Sequence, residues 1–357
     1  MKRGHRHRLA AVLLAVLGAG SAGADDLPSV TALNCGSNCQ SATDPKPLAK
    51  HSAYYPGFTP DDFPTEGLVV LRATVTKDGS LKDQKVVRVI GAQVFADKAL
   101  EASMDWTYQP AMRNGVAVDR PNWEIMTTFR YSNVTGARDE VYHLFHHAAE
   151  LSNTGKHAEA IAVLLPILSK PHLNFYERES ICLLLAIDTA RKGDYLSARE
   201  YLDDIITIGD SFLGLSQRKT LWRVAAAADV QTGQLADAQA AFRKLNAIEP
   251  VAADDPLIRA MQAVEGTLRR PDPLVATARI AKNGVLPQWS HVLARRSFAI
   301  LNVSGKLNRL TIECGEHLIE SEVSDKAEWH VPASWAECRL NVFGEPGTTF
   351  SLVELTE

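Results

Sequence analysis

Three histidines on one predicted helix, His143, His146 and His147, are the first residues whose type suggests chemistry, with His157 and Glu159 close behind. His143 and His147 are four apart, which puts two imidazoles on one helical face and would supply half of a metal site. No carboxylate stands at a fixed spacing to complete the set, so solvated helix residues are the favoured reading. Asp203-Asp204 and Asp254-Asp255 are carboxylate pairs of the kind used in acid–base work. Each is expected as an exposed pair near a helix end. Ser37, Cys35 and Cys39 lie in a segment rich in small polar residues, without a nearby base. His-Glu-x-x-His and Gly-x-Ser-x-Gly are absent from the sequence, and Gly-x-Gly-x-x-Gly occurs only at Gly18–Gly23, with no predicted strand before it or helix after it. No catalytic residue, metal ligand or cofactor is therefore assigned.

The five cysteines have another use. Cys35 and Cys39 enclose Gly-Ser-Asn, and Cys314 and Cys338 are 24 residues apart. Local pairing predicts disulfides Cys35–Cys39 and Cys314–Cys338. Loop entropy gives the longer one about 3–4 kcal/mol and the shorter about 2 kcal/mol. Cys182 is left over between Ile181 and Leu183-Leu184-Leu185, where a buried thiol is expected. Redox and metal roles lack support, because neither pair forms Cys-x-x-Cys or has paired histidines.

Disulfides presuppose export, and the N-terminus is built for it. Lys2, Arg3, Arg6 and Arg8 precede an apolar run from Leu9 to Leu17, and small residues lead to Ala22-Gly23-Ala24. This predicts a cleavable secretory signal over residues 1–24 and no retained transmembrane anchor, the run being short of the about 20 residues a span needs. Removing those four basic residues from 38, against 42 acidic ones, moves the net charge from −4 to −8. An acidic chain whose densest basic clusters beyond the predicted signal are pairs such as Arg295-Arg296 offers no electrostatic case for nucleic acid.

The elements that must position all of this fall into segments. Residues 25–50 read as an extended lead-in punctuated by Pro28, Pro45 and Pro47. Leu68–Thr76 and Lys85–Ile90 read as strands joined at Asp78-Gly79. Phe95, Ala99, Ala102 and Trp106 share a helical face, Pro110 is expected to close that helix, and Trp123–Tyr131 reads as a third strand. The order β-β-α-β defines a small domain over residues 51–135. Residues 136–270 are predicted helical, with Gly155-Lys-His-Ala-Glu-Ala160, Gly193-Asp-Tyr-Leu-Ser-Ala198 and Gly233-Gln-Leu-Ala-Asp-Ala238 aligned. A larger apolar residue follows each unit: Leu164, Leu202 and Phe242. Residues 271–357 return to strands and predict a small all-β sandwich or barrel. The fold class is thus multidomain α+β.

Two segments resemble known families. The aligned glycine units resemble tetratricopeptide repeats, with glycine spacings of 38 and 40 instead of the usual 34. The resemblance implies helical hairpins stacked around a groove. Tyr55-Pro56, Glu66-Gly67 before the first strand, Asp78-Gly79, Ala99-Leu-Glu-Ala102, Trp106, Tyr108-Gln-Pro-Ala111 and Asn114-Gly115-Val-Ala-Val118 together resemble the C-terminal domain of TonB energy transducers. That resemblance implies a periplasmic module that receives a short receptor segment by strand addition. Its partner-binding edge would be the last strand: Trp123, Glu124, Ile125, Met126, Thr127, Thr128, Phe129, Arg130 and Tyr131. Transducers retain a membrane helix and end after this domain. Here the signal is expected to be cleaved, and about 225 residues follow the domain.

The leading expectation is a non-catalytic periplasmic protein-binding or scaffold protein of the Gram-negative envelope, with a protein partner in the periplasm or outer membrane. The alternative is an envelope enzyme, or a dedicated accessory subunit, with a site between the helical and C-terminal domains. A polar interdomain cleft with perturbed titration would favour the alternative.

Overall fold

The computed structural model describes residues 31–33, 42–56, 66–130, 136–170, 172–282, 286–315, 317–323 and 327–356. The predicted signal, the Cys35–Cys39 pair and Tyr131 lie outside the described residues. The chain enters through three short strands, β1 (Thr31–Leu33), β2 (Ala42–Thr43) and β3 (Lys46–Ala49). Two β-branched runs then form β4 (Gly67–Val75) and β5 (Leu81–Ile90), and α1 (Val94–Ser103) crosses one face of the sheet. Four strands complete the domain: β6 (Thr107–Gln109), β7 (Ala111–Arg113), β8 (Val116–Val118) and β9 (Arg120–Phe129). The principal sheet is antiparallel in the order β5-β4-β9.

Close approach explains two glycines here. A Cβ on Gly67 would lie 2.4 Å from the Phe95 ring, so glycine lets α1 settle on the sheet. Gly79 has φ +86°, and a Cβ there would lie 2.0 Å from the Tyr108 carbonyl oxygen. Phe95 stacks on Phe129 at 4.5 Å within a core that includes Leu71, Ala99 and Ile125. The expected helix stop at Pro110 is wrong. The helix ends at Ser103, and Pro110 separates β6 from β7. Trp106 is buried past the helix end, where its indole donates to the His51 carbonyl at 3.0 Å. The lead-in is also more engaged than its composition suggested, because β2 pairs with β7 and β3 with β6.

The middle domain consists of α2 (Asp139–Asn153), α3 (His157–Leu168), α4 (Phe175–Arg191), α5 (Tyr195–Ile208), α6 (Leu215–Thr232), α7 (Leu235–Ile248) and α8 (Pro256–Leu268). The first six pack as consecutive helical hairpins. Gly155, Gly193 and Gly233 turn them with φ of 81°, 83° and 80°, a left-handed conformation that glycine adopts without strain. Ala160, Ala198 and Ala238 are fully buried where the paired helices meet. Cys182 is a buried free thiol, as its flanks implied, and burial pushes its pKa up to about 12.

The C-terminal domain is a β-sandwich of β10 (Leu274–Arg279), β11 (Gln288–Val292), β12 (Ser297–Ser304), β13 (Leu307–Cys314), β14 (His317–Glu322), β15 (Ala327–His330), β16 (Cys338–Gly344) and β17 (Thr349–Leu355). One sheet runs β1-β15-β12-β17-β10 and the other β11-β16-β13-β14. The N-terminal β1 therefore lies parallel to β15, far along the chain. Phe298, Ile300, Leu310, Ile312, Leu340 and Phe350 fill the space between the sheets.

Cys314 and Cys338 form the expected disulfide, facing each other on β13 and β16 with Cα atoms 4.2 Å apart. Changing both to alanine is expected to destabilise the sandwich by about 3 kcal/mol, through the freer unfolded chain. Denaturant unfolding of wild type and variant, with and without reductant, checks this. Reductant should lower the wild-type midpoint more than that of the variant, which keeps only the predicted Cys35–Cys39 pair.

Candidate functional site

Among the described residues, both outer strands of the first sheet have one side free of strand partners, and they differ in chemistry. β5 carries Lys82, Asp83, Lys85 and Arg88, with Asp83 at φ 56° and two register irregularities against β4. Charges and bulges of this kind discourage a further strand. The distal half of β9 reads Ile125-Met126-Thr127-Thr128-Phe129, uncharged and regular against β4. Met126 O accepts a hydrogen bond from Lys50 Nζ at 3.0 Å, so that carbonyl points away from β4. Antiparallel alternation then directs the backbone groups of Glu124, Met126 and Thr128 outward, and those of Ile125, Thr127 and Phe129 toward β4.

The expected edge residues thus divide by role. Ile125 and Phe129 bury their side chains in the α1 core, and Trp123 packs against it. Met126 and Thr128 are exposed on the opposite side. Glu124 pairs with Arg72 at 2.6 Å and lies 3.9 Å from Arg309 of β13. Arg120 reaches Asp44 at 3.3 Å and also Glu320 of β14. The start of β9 is therefore tied to the C-terminal domain, whereas Met126 and Thr128 are not. Arg130 lies just past the strand. Its guanidinium sits 4.8 Å from the Phe212 ring and 5.8 Å from that of Phe175, against the helical domain.

That contact belongs to the first interdomain junction. Leu68, Val70 and Ile90, on the sheet face away from α1, pack with Phe175 and Ile208. Glu66 Oε2 accepts the Phe175 backbone N–H at 2.7 Å. Glu179 is fully buried there, and neither of its carboxylate oxygens has a hydrogen-bond partner. Burial first, then the charges of Asp210 and Glu66, raise its pKa to about 8 against the opposing pull of Arg130.

The second junction joins the helices to the sandwich. His291 of β11 is fully buried, with Nδ1 2.7 Å from Asp237 of α7 and Nε2 3.1 Å from Glu354 of β17. Asp237 also accepts the Val292 N–H, and Glu354 accepts those of Ala294 and Arg295. Burial alone would lower the imidazole pKa. The two carboxylates outweigh it and raise the value to about 9. Asp237 and Glu354 carry no local sequence signal, and the reading of the chain missed all three residues. A histidine inside the apolar strand run Trp289–Val292 was the single available hint.

Asp203 and Asp204 correct a further expectation. They lie inside α5 and are not a solvated helix end. Asp204 is buried against Arg178 at 2.8 Å, and Asp203 pairs with Arg199 at 3.1 Å, which also lies 2.9 Å from Asp229. Burial raises Asp203 to about 6. With Thr207, Gln288 and Ser290 they line a polar interdomain cavity of about 50 Å³. The cleft that would favour an enzyme therefore exists, but small-molecule sites are typically about 300–1,000 Å³. Its carboxylates are already engaged by arginines.

His143, His146 and His147 are exposed on α2, and His157 instead lies 2.8 Å from buried Asp188. Among the described residues no group of three or more His, Cys, Asp or Glu is placed to hold a metal ion. No helix among them is long and apolar enough to cross a membrane.

Residues 64–131 match the family of the Gram-negative bacterial TonB protein C-terminal. They form a TonB C-terminal-like domain. Modules of this family are non-catalytic and mediate protein–protein contacts. The match ends two residues past β9. No curated protein matches the chain.

Proposed function

We propose that this chain is a periplasmic protein-binding scaffold. Its TonB-like domain receives an extended segment of a protein partner along the distal half of β9, and its TPR-like hairpins hold that domain against the β-sandwich. The observation that carries this is the outward-facing, uncharged backbone of Met126 and Thr128 on the last strand of a domain whose family works by contact. Backbone pairing supplies affinity there, and flanking side chains supply selectivity. The predicted cleavable signal, the disulfide and the TonB-like domain support a location in the envelope of a Gram-negative cell. Cleavage of the predicted signal would leave no inner-membrane anchor to pull on a partner, which favours the role of adaptor over energy transduction.

Thr128→Pro tests the strand. The Thr128 N–H faces away from β4, so proline removes a donor that the fold does not use. The variant should unfold close to wild type in a thermal melt, yet lose capture of its partner from periplasmic extract. Capture at the wild-type level by a folded variant would reject strand addition at this edge.

A further inference from the structure

Lys50 follows β3 directly and reaches across to β9. Its ammonium donates to Met126 O at 3.0 Å and lies 5.2 Å from the centre of the Trp106 ring. The residue as a whole is exposed, but its ammonium sits among protein atoms, and desolvation lowers its pKa. Among the described residues no carboxylate lies within ion-pair distance of it. The position matters as much as the charge, because Lys50 occupies the carbonyl that an added strand would need. Apolar surface borders it: Leu48 is 71% exposed and Met126 is 39% exposed.

We propose that Lys50 selects the partner of β9: the added segment carries a carboxylate opposite Met126, with apolar residues beside it. This rests on the strand-addition reading above. On docking, a backbone N–H of the incoming strand replaces the ammonium at Met126 O. Lys50 swings to the partner's carboxylate, and a cation held by a neutral carbonyl and an aromatic face gains a counter-charge. A neutral segment would displace the same hydrogen bond and return nothing to Lys50. The selection therefore acts as a difference in affinity between otherwise equal strands.

The test uses the full chain and two matched pools of synthetic peptides, randomised except for a central Glu or a central Gln. Wild type should retain the Glu pool about five- to tenfold more, and the preference should shrink as salt rises. Lys50→Met should equalise the pools, and Lys50→Glu should turn the preference toward a pool with central Lys. Thr128→Pro should abolish retention of all pools. Equal retention of Glu and Gln pools by wild type, still abolished by Thr128→Pro, would overturn the role of Lys50 and leave strand addition standing. Retention that survives Thr128→Pro, or no retention of any pool, would overturn both.

Discussion

Replacing His291 with alanine is expected to destabilise the chain by about 3–5 kcal/mol, the largest single-residue effect anticipated here. The imidazole lies between Asp237 and Glu354, with no exposed surface. Removing it leaves two buried carboxylates with only backbone N–H partners and opens a cavity where Trp289 stacks on the ring at 5.2 Å. The three residues come from α7, β11 and β17, so the loss falls on the docking of the sandwich onto the helices. The unfolding profile should split, with the sandwich melting first by tryptophan fluorescence. A pH series adds a signature that packing loss alone lacks. The imidazole pKa is raised from 6.5 to about 9, so its contribution is complete below pH 6.5 and disappears as pH rises through about 9. Wild type should weaken across that window, and His291→Gln should weaken less. A variant that tracks the wild-type slope would show that the imidazole is not charged in the fold.

Glu179→Gln is expected to act in the opposite direction, stabilising the chain by about 1–3 kcal/mol at pH 8 and above. The carboxyl is raised from 4.5 to about 8 by burial and by Asp210 and Glu66. A raised acid binds its proton more tightly folded than unfolded, so stability falls as pH rises from about 4.5 to about 8 and then levels off. Glutamine keeps the shape and never ionises. Wild type and variant should coincide near pH 4 and separate progressively above it. Chemical unfolding at fixed pH values measures the gap, and equal stability at pH 8.5 would count against an unpaired carboxylate there. Asp203 and Asp229, also raised, contribute slopes of the same sign. The difference between wild type and variant therefore isolates Glu179.

Local chemistry explains what was legible beforehand. The turn glycines and buried alanines of the hairpins stand out because each unit needs a left-handed residue and a small one at a set distance. The strand character of residues 271–357 was legible because β-branched runs and glycine turns punctuate it. The Cys314–Cys338 pairing was readable because few cysteines compete. Strands β10, β11 and β14 are the least legible part of the sandwich, being mixed in polarity where they pack on another domain or flank an edge. Asp203-Asp204 looked solvated because nothing in the local sequence marks Arg178 and Arg199 as neighbours.

By itself, then, the amino-acid sequence determined three domain types, the likeness of residues 64–131 to a TonB C-terminal domain, the repeat spacing and the disulfide. Each rests on contacts within a few residues or within one short unit. Tertiary structure alone decided that no strand lies beside the distal half of β9 among the described residues, that Lys50 occupies its carbonyl, and that His291 and Glu179 are buried at the two junctions. An edge is defined by which strands are missing beside it. A perturbed carboxyl or imidazole is defined by groups that the fold, and not the chain order, brings to its side.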